Sequence, residues 1–385
     1  MKLRNHSLIK RINRARIMNA IRVNSPIARS EIAAETQLDR KSITNFITEL
    51  LDEKLVVESG KKENISGRPY SLLKFADNFV AGIYIAPHLC RGVLIDFYGN
   101  IIASHEIEYP LYTDLTTICR AVENIYQQLS SVHMPEFGVG ISMPGSLNLQ
   151  TGNMEEAVNI PSLSGINVRE TFSAFIDKPL FLEEESRSIA LAEKWFGKGR
   201  DHDDFVVVEV SAGVGMGIVA GRRLFKGAGQ YAGEVGHVVI EPGGRRCRCG
   251  NKGCLETYTS ESAVVKTLSE YGKCGFERLR YFPKNSISRE DYERVMNEVG
   301  YRLGQGLSSV VNILCPRTII FSGAVIDLFG TDILPSIKKA INENSVKSNA
   351  AQTELFVSEL KHVDALGAAT LPLANIFEVP GYFYI

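Results

Sequence analysis

Between residues 234 and 256 the chain reads EVGHVVIEPGGRRCRCGNKGCLE, which places one imidazole, His237, just ahead of three thiols, Cys247, Cys249 and Cys254. Soft sulfur ligands and one ring nitrogen suit a closed tetrahedral zinc site. Gly243, Gly244, Gly250 and Gly253 let the backbone turn tightly around an ion. With four protein ligands and no open coordination position, the expected role of Zn2+ is structural rather than catalytic. The alternative is a loop whose reduced thiols merely share a stretch of chain. The other cysteines, Cys90, Cys119, Cys274 and Cys315, are isolated, and in a cytoplasmic chain all would stay reduced.

The 385 residues exceed what one ordinary core organises and suit two or three domains. No run approaches the roughly 18 apolar residues of a membrane span, and the basic start lacks the apolar segment of a signal peptide. The expectation is a cytoplasmic protein without membrane insertion. The formal charge of −1 hides an asymmetry: residues 1–76 carry +7 and the remainder −8. A basic head on an acidic body suggests a polyanionic partner for the head, although a solvated basic tail would have the same composition.

The pattern of the head narrows that choice. Arg14 to Asn24 has helical apolar spacing and stops at Ser25-Pro26. A short helix begins near Ser30, a turn follows at Thr36-Gln37-Leu38, and Asp39 is placed to cap a third helix with an apolar stripe of Ile43, Phe46, Ile47, Leu50 and Leu51. Two helices at a tight turn are a helix-turn-helix. The opposite face of the third helix carries Arg40, Lys41, Ser42, Thr44 and Asn45, where a recognition helix meets the major groove. Strands at 55–57 and 72–75 around the loop GKKENISGRPY predict a wing, with Lys61, Lys62 and Arg68 available to phosphates. A three-helix oligomerisation module with a solvated loop is the bland reading.

Beyond the head, strand-like runs at FVAGIYI, RGVLIDF, FGVGISM, PLFLEE, DFVVVEV and RTIIFSG alternate with helical stretches such as 115–130 and 288–314, the pattern of α/β lobes. The run from Glu234 to His237 through Cys247-Arg248-Cys249-Gly250 to Gly253-Cys254-Leu255-Glu256 resembles the signature of the ROK family of repressors, open reading frames and sugar kinases. The resemblance extends from about Val80 to the C-terminus, and the head matches the repressor branch. It implies an N-terminal winged helix-turn-helix over 1–76 followed by a two-lobed, actin/hexokinase-like (ribonuclease H-like) body. The first lobe would cover 77–195, with a segment from about 371 to 385 packing back on it. The second would cover 196–370, with the zinc loop and a dimerisation surface.

The resemblance also implies a sugar cleft in which Asn159, Glu234, His237 and Glu256 hydrogen-bond sugar hydroxyls, His237 giving one ring nitrogen to zinc and the other to the ligand. Glu234 and Glu256 acting only to orient the zinc loop remains the alternative. A kinase of the family needs a DxGGTK-like phosphate loop, a Gly-Thr-Gly turn and an Asn-Asp pair with the aspartate as general base. Here the first aligns with Tyr84 to Leu89, Ala212 replaces the threonine, and Glu184 and Glu185 replace the pair, Glu185 at the base position; both would join Glu234 and Glu256 as sugar-binding carboxylates of the cleft. Gly213, Gly215 and Gly217 persist and are expected to keep inherited turns. The expectation is a sugar-responsive repressor, not an enzyme, with no ATP requirement. Its partners would be operator DNA, a sugar other than plain glucose, and a second copy in a homodimer or dimer of dimers. A protein partner at a vestigial cleft and a kinase with an accessory head are the rivals.

Overall fold

The computed structural model describes residues 5–62, 70–273 and 275–378, so Arg68 and Cys274 lie outside the described residues. The head runs α1 (Asn5–Asn24), β1 (Ile27–Ala28), α2 (Arg29–Thr36), α3 (Arg40–Asp52), β2 (Val56–Lys62) and β3 (Tyr70–Phe75). Asp39 caps α3 by accepting from the Ser42 N–H at 2.9 Å, as its position ahead of the stripe predicts. Two elements differ from the sequence reading. α1 starts at Asn5 rather than near Arg14, because Lys10 and Arg14 reach Glu49 and Glu53 of α3 and so extend the helix beyond its apolar stretch. Lys61 and Lys62 belong to β2 itself rather than to a loop, and β1 adds a third strand in the order β1-β3-β2.

The body continues with β4 (Phe79–Ile85), β5 (Leu89–Asp96), β6 (Ile101–Glu108), α4 (Leu115–Val132), β7 (Val139–Met143), the hairpin β8 (Ser146–Leu147) and β9 (Met154–Glu156), α5 (Val168–Ser173), β10 (Leu180–Glu184) and α6 (Glu185–Phe196). These give a five-stranded sheet in the order β10-β7-β4-β5-β6. β7 is buried at every residue, as a strand covered on both faces must be. A second sheet, β13-β12-β11-β14-β15, is built from β11 (Phe205–Val210), β12 (Val214–Ala220), β13 (Arg223–Phe225), β14 (Thr318–Ser322) and β15 (Glu354–Val357). Around it lie α7 (Glu256–Thr259), α8 (Glu261–Gly272), α9 (Arg289–Leu314), α10 (Ala324–Phe329), α11 (Leu334–Asn344) and α12 (Lys347–Gln352).

The chain then returns to the first sheet as α13 (Val363–Phe377), a return that begins at Val363 instead of near residue 371. α13 lies on β4 and β7, while α6, packed against α13, touches β11 and β12. Small residues make both approaches feasible. A Cβ on Gly82 would come within 2.2 Å of the Ala365 carbonyl, and one on Gly140 within 1.8 Å of the Ala368 carbonyl. Gly215 and Gly217 serve the same purpose on the other side. They lie within β12 and would meet Ser186 and Ala190 of α6, so they admit a helix rather than keep a turn.

The head is fused to the body. One apolar cluster runs from Ile17, Ile21 and Ile47 through Leu73 and Phe75 to Phe97, Trp195 and Phe377. Phe75 of β3 meets Phe97 at 5.4 Å and Phe377 at 5.5 Å, both edge to face. Asn19 of α1 donates to the Phe377 carbonyl at 2.9 Å. Because a valine at position 140 has no room short of moving α13, the Gly140→Val protein is expected to lose about 3 kcal/mol or more of stability, read by denaturant unfolding.

Candidate functional site

The zinc ligands converge. The donor atoms of His237, Cys247, Cys249 and Cys254 all lie within 4.8 Å of one another. The Cys249 and Cys254 sulfurs are 3.7 Å apart, and the Cys247 sulfur is 3.7 Å from His237 Nδ1. Two Zn–S bonds of about 2.3 Å at a tetrahedral angle would set their sulfurs about 3.75 Å apart, so the donor set fits the ion. Gly243, Gly250 and Gly253 each have positive φ, which a side chain would resist. The loop is stitched through Cys247 N–H to the Asn251 carbonyl at 2.8 Å and Leu255 N–H to the Val238 carbonyl at 2.9 Å.

With Nδ1 turned to the thiols, His237 presents Nε2 to Glu234, whose carboxylate is 3.8 Å away. That division of the ring fixes its tautomer and orientation. Glu256, the first residue of α7, accepts from the Val214 N–H at 3.3 Å. Its carboxyl is pushed up by burial, against the pull of His237. A Cβ on Gly213 would sit 3.0 Å from Glu256 Oε2 and 3.2 Å from Asn159 Nδ2, so Asn159 and Glu256 meet across a glycine that leaves the space between them open. The structure therefore brings together Asn159, Glu234, His237 and Glu256. It adds a residue that sequence reasoning missed. Arg248, inside the zinc loop, donates to Asn159 at 3.4 Å and to the Tyr112 hydroxyl at 3.2 Å, linking the loop to the first sheet's side of the cleft. No motif announced it, since its role depends on two residues more than 80 positions away.

Glu184 and Glu185 behave differently from that set. Glu184 is the N-cap of α6, and its two oxygens accept from Ser186 and Arg187 N–H groups. Arg187 turns to the buried Glu183 at 2.8 Å and to the Gln230 carbonyl at 3.1 Å. Glu185 accepts from the Tyr84 hydroxyl at 2.7 Å, with the buried Glu209 beside it. Burial and the neighbouring Glu184 push the Glu185 carboxyl up to about 8, and burial with Glu185 raises Glu209 too. Tyr84 and Glu185 are the two positions that the sequence reading sets against the kinase phosphate-loop aspartate and general base. A carboxyl that keeps its own proton and is held by a phenol is poorly placed to take one from a sugar hydroxyl. Pro87 and Ala212 both line a cavity of about 390 Å³ between the sheets, where Ser211 Oγ accepts from Ala324 N–H at 3.0 Å.

In the head, Arg40, Lys41, Thr44 and Asn45 are exposed on α3, and Lys61 is exposed on β2. Ser42 is drawn into the cap, its hydroxyl donating to Asp39 at 2.6 Å.

A fold of this kind with this histidine–thiol loop defines a two-lobed sugar-kinase-like body. The family model described as ROK family matches residues 80–374, and the chain belongs to that family. A xylose repressor of Caldicellulosiruptor bescii is 28% identical over 98% of this chain and 99% of its own. A crystal structure of a ROK family transcriptional regulator, a homolog of the E. coli MLC protein, superposes with a TM-score of 0.78 at 26% identity, covering 96% of this chain and 97% of that one. By contrast, a ROK family glucokinase from Streptomyces griseus, solved with glucose and AMPPNP, covers only 76% of this chain but 99% of its own, with a TM-score of 0.66 at 22% identity. The regulators match head and body together, whereas this kinase matches the body alone.

Metal analysis of the purified protein is expected to find about one zinc per chain, with Cys254→Ser losing it and unfolding at lower temperature. A second expectation concerns pH. Glu185 is held protonated to about 8 in the fold against 4.5 ordinarily, so its contribution to stability is complete below pH 4.5 and is lost as pH rises through about 8. Glu185→Gln should flatten the fall in unfolding free energy over that window, by up to about 1.4 kcal/mol per pH unit in denaturant titrations.

Proposed function

We propose that the protein is a sugar-responsive transcriptional repressor acting on operator DNA in the cytoplasm. The observation that carries this reading is the shared core. The head that presents Arg40, Lys41, Thr44 and Asn45 is packed onto Phe97, Trp195 and Phe377 of the body, so a rearrangement of the body moves the DNA-reading surface. The working units are the head over 1–76, the first lobe over 77–195 with the returning α13, and the second lobe carrying the zinc loop.

Operator contact falls to Arg40, Lys41, Thr44 and Asn45 in the major groove, with Ser42 setting the helix start and Lys61, Lys62 and Arg68 on backbone phosphates. The effector is a sugar held by Asn159, Glu234, His237 and Glu256, with Glu184 and Glu185 at the inner end of the cleft. Zinc, when bound, supplies a fixed ring orientation for His237 and stiffness for the loop. Carboxylates such as the exposed Glu234 and the half-buried Glu256 read hydroxyl patterns through charge-assisted hydrogen bonds. The acid-rich cleft favours a pentose such as xylose, an amino sugar or a polyol over glucose. Sugar between Asn159 and Glu256 competes for the Arg248 bridge, closes the lobes differently, and changes the spacing of two heads in a homodimer on half-sites one or more helical turns apart.

A gel shift on the gene's own upstream DNA, repeated with a panel of such sugars, tests the reading. A retarded band released by one sugar is expected, and the absence of any salt-dependent shift counts against it. Arg40→Ala and Lys41→Ala should each weaken operator binding about tenfold while leaving sugar binding, followed by calorimetry, unchanged.

A further inference from the structure

A second cavity, of about 950 Å³, lies where α1 of the head meets β10, α6, β13 and α13. None of the residues assigned to the sugar lines it. Seven Lys and Arg side chains face it against three carboxylates. Two of those carboxylates are already engaged: Glu183 by Arg187 and Lys226, and Glu378 by Lys194 at 2.7 Å and the Trp195 indole N–H at 3.1 Å. The third, Asp201, is exposed.

Two arginines make no ion pair among the described residues, although Arg22 donates to the Asn19 side-chain carbonyl at 3.5 Å. The Arg200 guanidinium is exposed and has no ion pair or hydrogen bond among the described residues. Arg22 lies over the Trp195 ring at 4.6 Å, with its Nε buried and unbonded. Burial, and then the nearby Arg200, lower the Arg22 guanidinium to about 10, against the pull of Glu378. Part of the lining is apolar, with Leu182, Leu191, Leu224 and Trp195. The volume is within the range of small-molecule pockets. Arginine forks match phosphate oxygens in paired hydrogen bonds, and an arriving anion relieves the repulsion between the two guanidinium groups.

We propose that this cavity binds a small phosphate-bearing metabolite, Arg22 and Arg200 holding the phosphate while the apolar wall receives the rest of the molecule. Arg22 belongs to the DNA-reading head and Arg200 to the body, so the ligand bridges the two and gives the repressor a second input beside the sugar.

The test is calorimetry on the full-length protein with pyrophosphate as the probe. Saturable binding is expected, weakened at least tenfold in Arg200→Ser, whose unfolding temperature stays at the parent value because the side chain is exposed and unbonded. Arg280→Ser, which removes an exposed cation at the inter-sheet cavity, should bind pyrophosphate as the parent does. Absence of saturable heat, equal affinity in Arg200→Ser, or loss in Arg280→Ser instead would each overturn the proposal. So would an Arg200→Ser protein that loses operator affinity while pyrophosphate fails to bind the parent, since the cations would then belong to the DNA backbone contact. Pyrophosphate binding does not depend on which sugar the cleft takes, so this proposal and the sugar-sensor reading fail separately.

Discussion

The seam between α13 and its neighbours organises the molecule. Its backbone approaches β4 and β7 at Gly82 and Gly140, and its own Gly367 lies where a Cβ would be 2.6 Å from the Ser188 carbonyl of α6. α6 in turn rests on β12 at Gly215 and Gly217. Sheet, helix, helix and sheet thus stack at backbone distance, with little slack for a side chain to absorb. Close-packed interfaces of this sort shift between discrete arrangements rather than deform continuously, a useful property in a sensor. The far end of the same helix, Phe377, anchors the head through Phe75 and Trp195. One helix therefore joins the first sheet, α6 and the head.

The zinc loop and the residues proposed for the sugar are joined. His237 belongs to both sets, and the loop wrapped by glycines with positive φ also carries Arg248, which reaches Asn159 and Tyr112. An exposed arginine bridge of this kind contributes little to stability but is easily exchanged for a ligand, which suits a contact that must break and reform.

Tyr84, Glu185 and Glu209 join the two sheets through a buried phenol and two carboxyl groups whose protons burial and mutual repulsion hold more tightly than usual. The sequence reading sets Tyr84 and Glu185 where a kinase of the family would carry its phosphate-loop aspartate and its base, and the two are hydrogen-bonded to each other. The relatives that match the full length and the glucokinase that matches only the body separate along the same line.

The sequence by itself determined the local and covalent part of this protein. Helix α3 with its Asp39 cap, the strands β4, β5, β7, β10, β11 and β14 and the four zinc ligands were legible because periodicity, capping and ligand type act over a few residues. The charge asymmetry of the head was legible for the same reason: it is a sum over residues, independent of where they end up. The tertiary structure alone decided what each long-range contact does. Gly215 and Gly217 looked like turn residues until α6 was seen to lie on them, and the return of α13 from Val363 depended on Gly82 and Gly140, nearly 300 and more than 200 residues earlier. The partners of Arg248 and Arg22 and the direction of Glu185 could not be read from the sequence. A side chain's partner, its burial and its proton depend on what the fold brings within a few ångströms, and no spacing along the chain encodes that distance.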